Sequence, residues 1–160
     1  MADLIFNIAT GKLAGSINGI NIETIAVSGG RGGSKTKGAA NPLLVNNPFL
    51  THIKLKGHSE TDYAGSLPMG FYTLKAHETR NNWIRLIPSS ANVMYKRDGF
   101  AIHGRGPRGS DGCIVLSDFE LLKQIFKLIK ESQTEITLEV KAIGDLDFIL
   151  KKMDYHSRLA

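Results

Sequence analysis

Short β-prone runs, broken every few residues by Gly, Asn or Pro, constrain this chain more than any other feature. Residues 4–8, 13–17, 22–27, 52–56, 71–76, 83–87 and 100–103 each have the length and the β-branched or aromatic content of a strand. One amphipathic helix stands apart from them. Phe119, Leu122, Ile125, Phe126 and Ile129 recur at helical spacing, and Ser117-Asp118-Phe119-Glu120 reads as a capping box. A helix over 118–131 therefore packs one face on the sheet and anchors the segment before it. Ile136, Leu138, Val140 and Ala142 then alternate with polar residues, the pattern of a half-buried strand. The tail over 144–160 predicts a second short helix through Phe148, Ile149 and Met153.

The expectation is a mainly β, β-rich α+β chain forming one domain over residues 1–160, without internal repeats. At 160 residues, with 42% apolar and 22% charged side chains, it can bury a substantial core. A net charge of +5 and a pI near 9.4 favour an anionic partner. Nucleic acid is disfavoured, because the positive residues are scattered and no zinc finger or RNP-like run accompanies them. A cell-wall polymer bearing carboxylates and phosphodiesters fits the same charge. Residues 1–7 lack the basic and apolar regions of a signal peptide. No apolar run approaches the ~20 residues that cross a bilayer, so the chain is expected to be cytoplasmic where it is made, with no membrane insertion.

The chemistry concentrates in residues 100–114. Cys113, the single cysteine, follows His103 across a short glycine-rich loop. A thiolate attacks carbonyls, and an imidazole can take the thiol proton. Gly109 and Gly112 can turn backbone N–H groups toward Cys113 to hold an oxyanion. Phe100 and Ile102 before the histidine, and Ile114, Val115 and Leu116 after the cysteine, supply two buried strand ends to fix the pair. The plainer reading stays open: a lone cysteine in an apolar run is also a small buried hydrophobe, and a glycine-rich loop is also a turn. Two potential ligands fall short of a zinc site, so neither metal nor organic cofactor is expected. Arg105 and Arg108 lie inside the loop, where guanidinium groups can pair with a substrate carboxylate. The basic segment 28–38 lacks the ending of a phosphate-binding loop; Arg31, Lys35 or Lys37 could border the cleft. His52, His58, His77 and His156 read as surface or satisfied histidines, and Trp83 reads as core.

Ser110-Asp111-Gly112-Cys113-Ile114, preceded by Ile102-His103-Gly104, resembles the active-site signature of the L,D-transpeptidase (YkuD-type) superfamily. The His-before-Cys order separates it from papain-like and NlpC/P60 peptidases, and the short separation separates it from sortases. Val27-Ser28-Gly29 is similar to that family's early strand, and Leu67-Pro68-Met69-Gly70-Phe71-Tyr72 to its Pro-x-Gly turn. The short His-to-Cys loop, the block from Gly65 to Tyr72 and Asn41-Pro42 look most like the compact type VI secretion L,D-transpeptidase effectors. Asp111 stands where the superfamily usually has a second histidine, and Val115 where it often has Arg or Asn.

The resemblance implies an L,D-transpeptidase-like β-sandwich with one helix packed after the Cys113 loop. It also implies an antibacterial enzyme acting on peptidoglycan tetrapeptide stems. Cys113 would be the nucleophile and His103 the base. The Gly104 carbonyl would orient the imidazole, Ser110 would tighten the loop, and the N–H groups of Gly112 and Cys113 would hold the oxyanion. Arg105, Arg108 and Asp111 are assigned to substrate binding, with an orienting role toward His103 also open for Asp111. The implied partners are type VI secretion components and a cognate periplasmic immunity protein, with delivery into the target periplasm. Two rivals remain: a non-catalytic anion- or glycan-binding module, and a housekeeping wall-crosslinking L,D-transpeptidase. A depressed Cys113 pKa would favour an enzyme and an inert buried thiol the module.

Overall fold

The computed structural model of the chain describes residues 1–31, 41–53, 64–104, 110–144 and 146–159. The strands are β1 (Leu4–Asn7), β2 (Lys12–Ile17), β3 (Ile20–Ser28), β4 (Gly70–Ala76), β5 (Ile84–Pro88), β6 (Ala101–Gly104), β7 (Ile114–Leu116) and β8 (Ile136–Lys141). The helices are α1 (Phe119–Glu131) and α2 (Asp147–Leu159). Alternation of buried and open residues makes the strands legible, most clearly in β8, where Ile136, Leu138 and Val140 are buried and their neighbours are not. Asn18 and Gly19, both at positive φ, form the two-residue turn between β2 and β3, with Ile17 opposite Ile20. The run expected as a strand over 52–56 is described only at its first two residues. Residues 48–50 form a short 3-10 turn and His52 and Ile53 are not in a strand, while 54–56 lie outside the described residues.

The expected sandwich is replaced by a closed barrel in the order β1-β2-β3-β7-β6-β5-β4-β8. Closure depends on β8. It runs parallel to β1, with Leu4 opposite Leu138 and Phe6 opposite Val140, and antiparallel to β4, with Leu74 opposite Ile136. A sandwich keeps two separate sheets with free edges, whereas this ladder is continuous and leaves none.

Helix α1 contacts β2, β4 and β6, strands spread around the ring, so it lies across one mouth of the barrel. Its buried residues Leu122, Ile125, Phe126 and Ile129 join the same core cluster as Leu4, Phe6, Ile102, Ile114 and Leu138. The helix begins one residue later than a Ser117 cap requires. Asp118 is the N-cap, and its Oδ1 accepts the Leu121 N–H at 3.0 Å, so no capping box forms. In α2, Ile149 is buried while Phe148 is exposed.

Candidate active site

Strands β6 and β7 run side by side and parallel, with Ile102 opposite Ile114 and His103 opposite Val115. Ile102 and Ile114 point into the barrel core. Alternation then sends His103 to the outer face, and Cys113, one residue before β7, to the same face beside Ala101. The Ala101 N–H donates to Cys113 Sγ at 3.3 Å. The cysteine and the histidine thus sit on one face of neighbouring strands, and among the described residues no hydrogen bond joins them directly.

His103 Nδ1 lies 2.8 Å from the Gly104 carbonyl oxygen. A carbonyl only accepts, so Nδ1 carries the proton and Nε2 keeps its lone pair. Burial pushes the imidazole pKa below 6.5, the Gly104 carbonyl opposes this, and the Arg80 charge adds to the lowering. Burial also pushes the Cys113 thiol above its usual 9.0. The Ala101 N–H works against that rise, the Asp111 charge reinforces it, and the Arg97 charge opposes it. Both shifts disfavour a preformed thiolate–imidazolium pair.

Residues 110, 111 and 112, directly before Cys113, are each fastened by hydrogen bonds. Ser110 Oγ donates to the Cys113 carbonyl at 2.6 Å and accepts from the N–H groups of Gly29 and Gly112 at 3.1 and 3.3 Å. The Gly112 N–H therefore already has an acceptor. Ser28, fully buried, donates from Oγ to the Gly112 carbonyl at 2.8 Å and accepts the Leu67 N–H at 2.8 Å. This one hydroxyl ties the end of β3 and the Leu67-Pro68 block to the Cys113 segment. Gly112 has φ +120, and a Cβ there would collide with the Arg97 guanidinium and the Phe100 ring. Only glycine fits.

Arg97, which belongs to no motif, is 6% exposed beneath this segment. Its guanidinium donates to the carbonyls of Thr51, Ser66, Gly65 and Asp111. Asp111 turns its carboxylate to Arg31, 3.1 Å away, and among the described residues no hydrogen bond joins it to His103. Arg105, Arg108, Gly109, Lys35, Lys37 and His58 lie outside the described residues, as does the side chain of His156. Val115 is buried.

Trp83, expected in the core, is half-buried and stacks on His103 with ring centroids 4.3 Å apart and planes 5° from parallel. The cause is register. β5 pairs with β6 so that Ile84 faces Ile102, and one step outward Trp83 comes level with His103. His77 Nδ1 accepts from the Thr79 and Arg80 N–H groups at 3.1 and 3.0 Å. His52 meets Tyr95 edge-on. Among the described residues no group of three His, Cys, Asp or Glu is placed to hold a metal. A cavity of about 300 Å³ lined by Phe71, Thr73, Ile87 and Thr137 includes neither Cys113 nor His103.

Fold and site together define a small closed β-barrel protein with a cysteine and a histidine presented from adjacent parallel strands. The family model of the Tlde1 domain matches residues 45–140, more than half of the chain and the whole of the segment holding Trp83, Arg97, His103 and Cys113. The chain belongs to the Tlde1 domain family, a family of type VI secretion effectors. No curated protein and no solved structure matches it. No helix among the described residues is long and apolar enough to cross a membrane.

Proposed function

We propose that this type VI effector is a cysteine L,D-carboxypeptidase and L,D-transpeptidase acting on peptidoglycan tetrapeptide stems in the periplasm of target bacteria. One observation carries the reading. His103 holds its Nδ1 proton against the Gly104 carbonyl at 2.8 Å, which leaves Nε2 as a base on the face that Cys113 shares. Nε2 takes the thiol proton as Sγ adds to the carbonyl on the L-centre of meso-diaminopimelate. The tetrahedral oxyanion is held by the Cys113 N–H. The Gly112 N–H joins it by leaving Ser110 Oγ. The C–N bond to the terminal D-alanine breaks, and the imidazolium proton goes to the departing amine.

The thioester on Cys113 is then opened by water, giving a tripeptide stem, or by the amine of a D-amino acid, giving exchange. In either case His103 takes the proton of the incoming nucleophile and returns it to the sulfur. Hydrogen bonds between nucleophile and base are often long in a free site and tighten with substrate, so the separation of thiol and imidazole fits this cycle. Neither metal nor organic cofactor enters the cycle. Arg31 and the loop arginines Arg105 and Arg108 would meet stem carboxylates. An immunity protein in kin cells would act by covering this face.

One observation favours the non-catalytic reading: the thiol is pushed up, not down, so it is not a ready thiolate. Incubating the protein with disaccharide-tetrapeptides, with and without excess of a non-native D-amino acid, separates the two. The proposal predicts loss or exchange of the terminal D-alanine by mass spectrometry and none with Cys113→Ala. A folded wild-type protein that turns over neither isolated muropeptides nor intact sacculi would leave the anion- or glycan-binding module.

A further inference from the structure

Beyond the nucleophile and base, the structure carries a three-layer stack that neither role explains. The Arg80 guanidinium carbon lies 3.8 Å from the Trp83 ring centroid, and His103 lies 4.3 Å away in the parallel stack. We propose that Trp83 and Arg80 form a clamp that fixes the plane of the His103 imidazole for its work on Cys113. This proposal rests on the acyl-transfer reading above, and Trp83 and Arg80 act through His103 as positioning residues.

The clamp is built into the β4–β5 hairpin. The His77 N–H donates to the Trp83 carbonyl at 2.9 Å, closing the turn. Inside the turn, His77 Nδ1 receives the Arg80 N–H at 3.0 Å, and Asn82 takes a positive φ of 59° to bring the chain back. Arg85 donates from Nε and Nη2 to the Glu78 carboxylate at 3.1 and 2.9 Å, which stiffens the outer side of the turn. The hairpin therefore delivers the indole as a wall on one face of the imidazole. The hydrogen bond to Gly104 fixes the ring's edge, and the indole fixes its plane.

The two contacts together leave the ring one orientation, whereas either alone permits rocking about the other. A cation–π contact on the far face also draws on the indole π-density that would otherwise stabilise an imidazolium on the near face. The Arg80 charge lowers the imidazole's proton affinity in the same direction as burial does.

Other charged groups on the elements around His103 are placed differently. Asp111 and Arg31 pair with each other at 3.1 Å, and Glu120 and Lys123 of α1 do likewise at 3.1 Å. Arg97 is held by four carbonyls beneath the Cys113 segment. Glu78 pairs with Arg85, and His77 Nδ1 accepts from the Thr79 and Arg80 N–H groups. Among the described residues Arg80 is the cation whose charge bears on His103.

The test reads His103 itself, so that it stands apart from whether the stems are the substrate. Histidine is labelled with 15N, and the ring nitrogens of His103 are followed by NMR through a pH titration in wild type, Trp83→Leu, Trp83→Phe and Arg80→Gln. The clamp predicts a single Nδ1–H tautomer in wild type and Trp83→Phe, and a mixture in Trp83→Leu. It also predicts a titration midpoint moved to higher pH in Arg80→Gln.

In the muropeptide assay Trp83→Leu should lose about tenfold or more in kcat with KM little changed, because misplacement of a catalytic group falls on the chemical step. Trp83→Phe should recover most of it. A single unchanged tautomer in folded Trp83→Leu, together with an unmoved midpoint in Arg80→Gln, would overturn the clamp. If wild type shows the predicted tautomer pattern but no turnover, the clamp stands and the acyl-transfer reading fails.

Discussion

At the scale of single residues, the proposed acyl transfer turns on protonation. His103 accepts a proton only when neutral, and its pKa lies below 6.5, so kcat/KM should rise with pH through a midpoint below 6.5 and then level off. The thiol pKa lies above 9.0, so no thiolate limb should appear before that value. A pH–rate profile with its acid limb centred above 7 would contradict this assignment. Ser110 supplies a second test. Removing Oγ from Ser110→Ala leaves the Gly29 and Gly112 N–H groups and the Cys113 carbonyl without this partner, which should cost about 2 kcal/mol in chemical denaturation. Turnover should fall further than stability does.

Cys113 and His103 were legible because one glycine-rich loop joins them in sequence. Trp83 was misread as core because an apolar strand pattern says nothing of which face carries the indole. Only the β5–β6 register brings it to the imidazole. Arg97 was invisible for a related reason: its four carbonyl acceptors come from three distant segments, and a lone arginine in sequence carries no sign of them.

At the scale of elements, local patterns did most of the work. Strands β1 to β6 and β8 fall on the expected runs within a residue or two, because alternation and Gly/Asn turns are local signals. The capping of α1 shows the limit of such signals. Ser117 and Glu120 match a capping-box pattern, but Asp118 takes the N-cap position. Asp118→Ala should therefore cost about 1 kcal/mol in thermal or chemical denaturation, while Ser117→Ala costs little. Equal effects of the two substitutions would restore the box. Residues 52 and 53 look strand-like, yet they follow the 3-10 turn at Pro48–Leu50 and find no ladder to join. Helix α1 follows β7 almost directly. The close approach of Leu122 and Phe119 to Gly104 lets it brace the end of β6 on which His103 stands.

At the scale of the molecule, closure of the barrel was beyond local reading. The parallel pairing of β1 with β8 joins residues more than a hundred positions apart, and nothing in either strand's own pattern selects a barrel over a sandwich. The outer segments are held to the barrel in part by Arg97, which fastens the loops carrying Thr51, Gly65 and Ser66 to Asp111. Arg97→Met should destabilise the protein by on the order of 3 kcal/mol, since it strips the donors from buried carbonyls. Loss of less than about 1 kcal/mol would show that these loops stand without it.

The proposed acyl transfer at Cys113 would leave a covalent trace. The most direct measurement is intact-protein mass spectrometry after rapid acid quench of the protein with a disaccharide-tetrapeptide. The account predicts a mass gain equal to the substrate less D-alanine, located on Cys113, released by hydroxylamine and missing from Cys113→Ala. Turnover with no such adduct at any quench time, or an adduct that persists in Cys113→Ala, would contradict it.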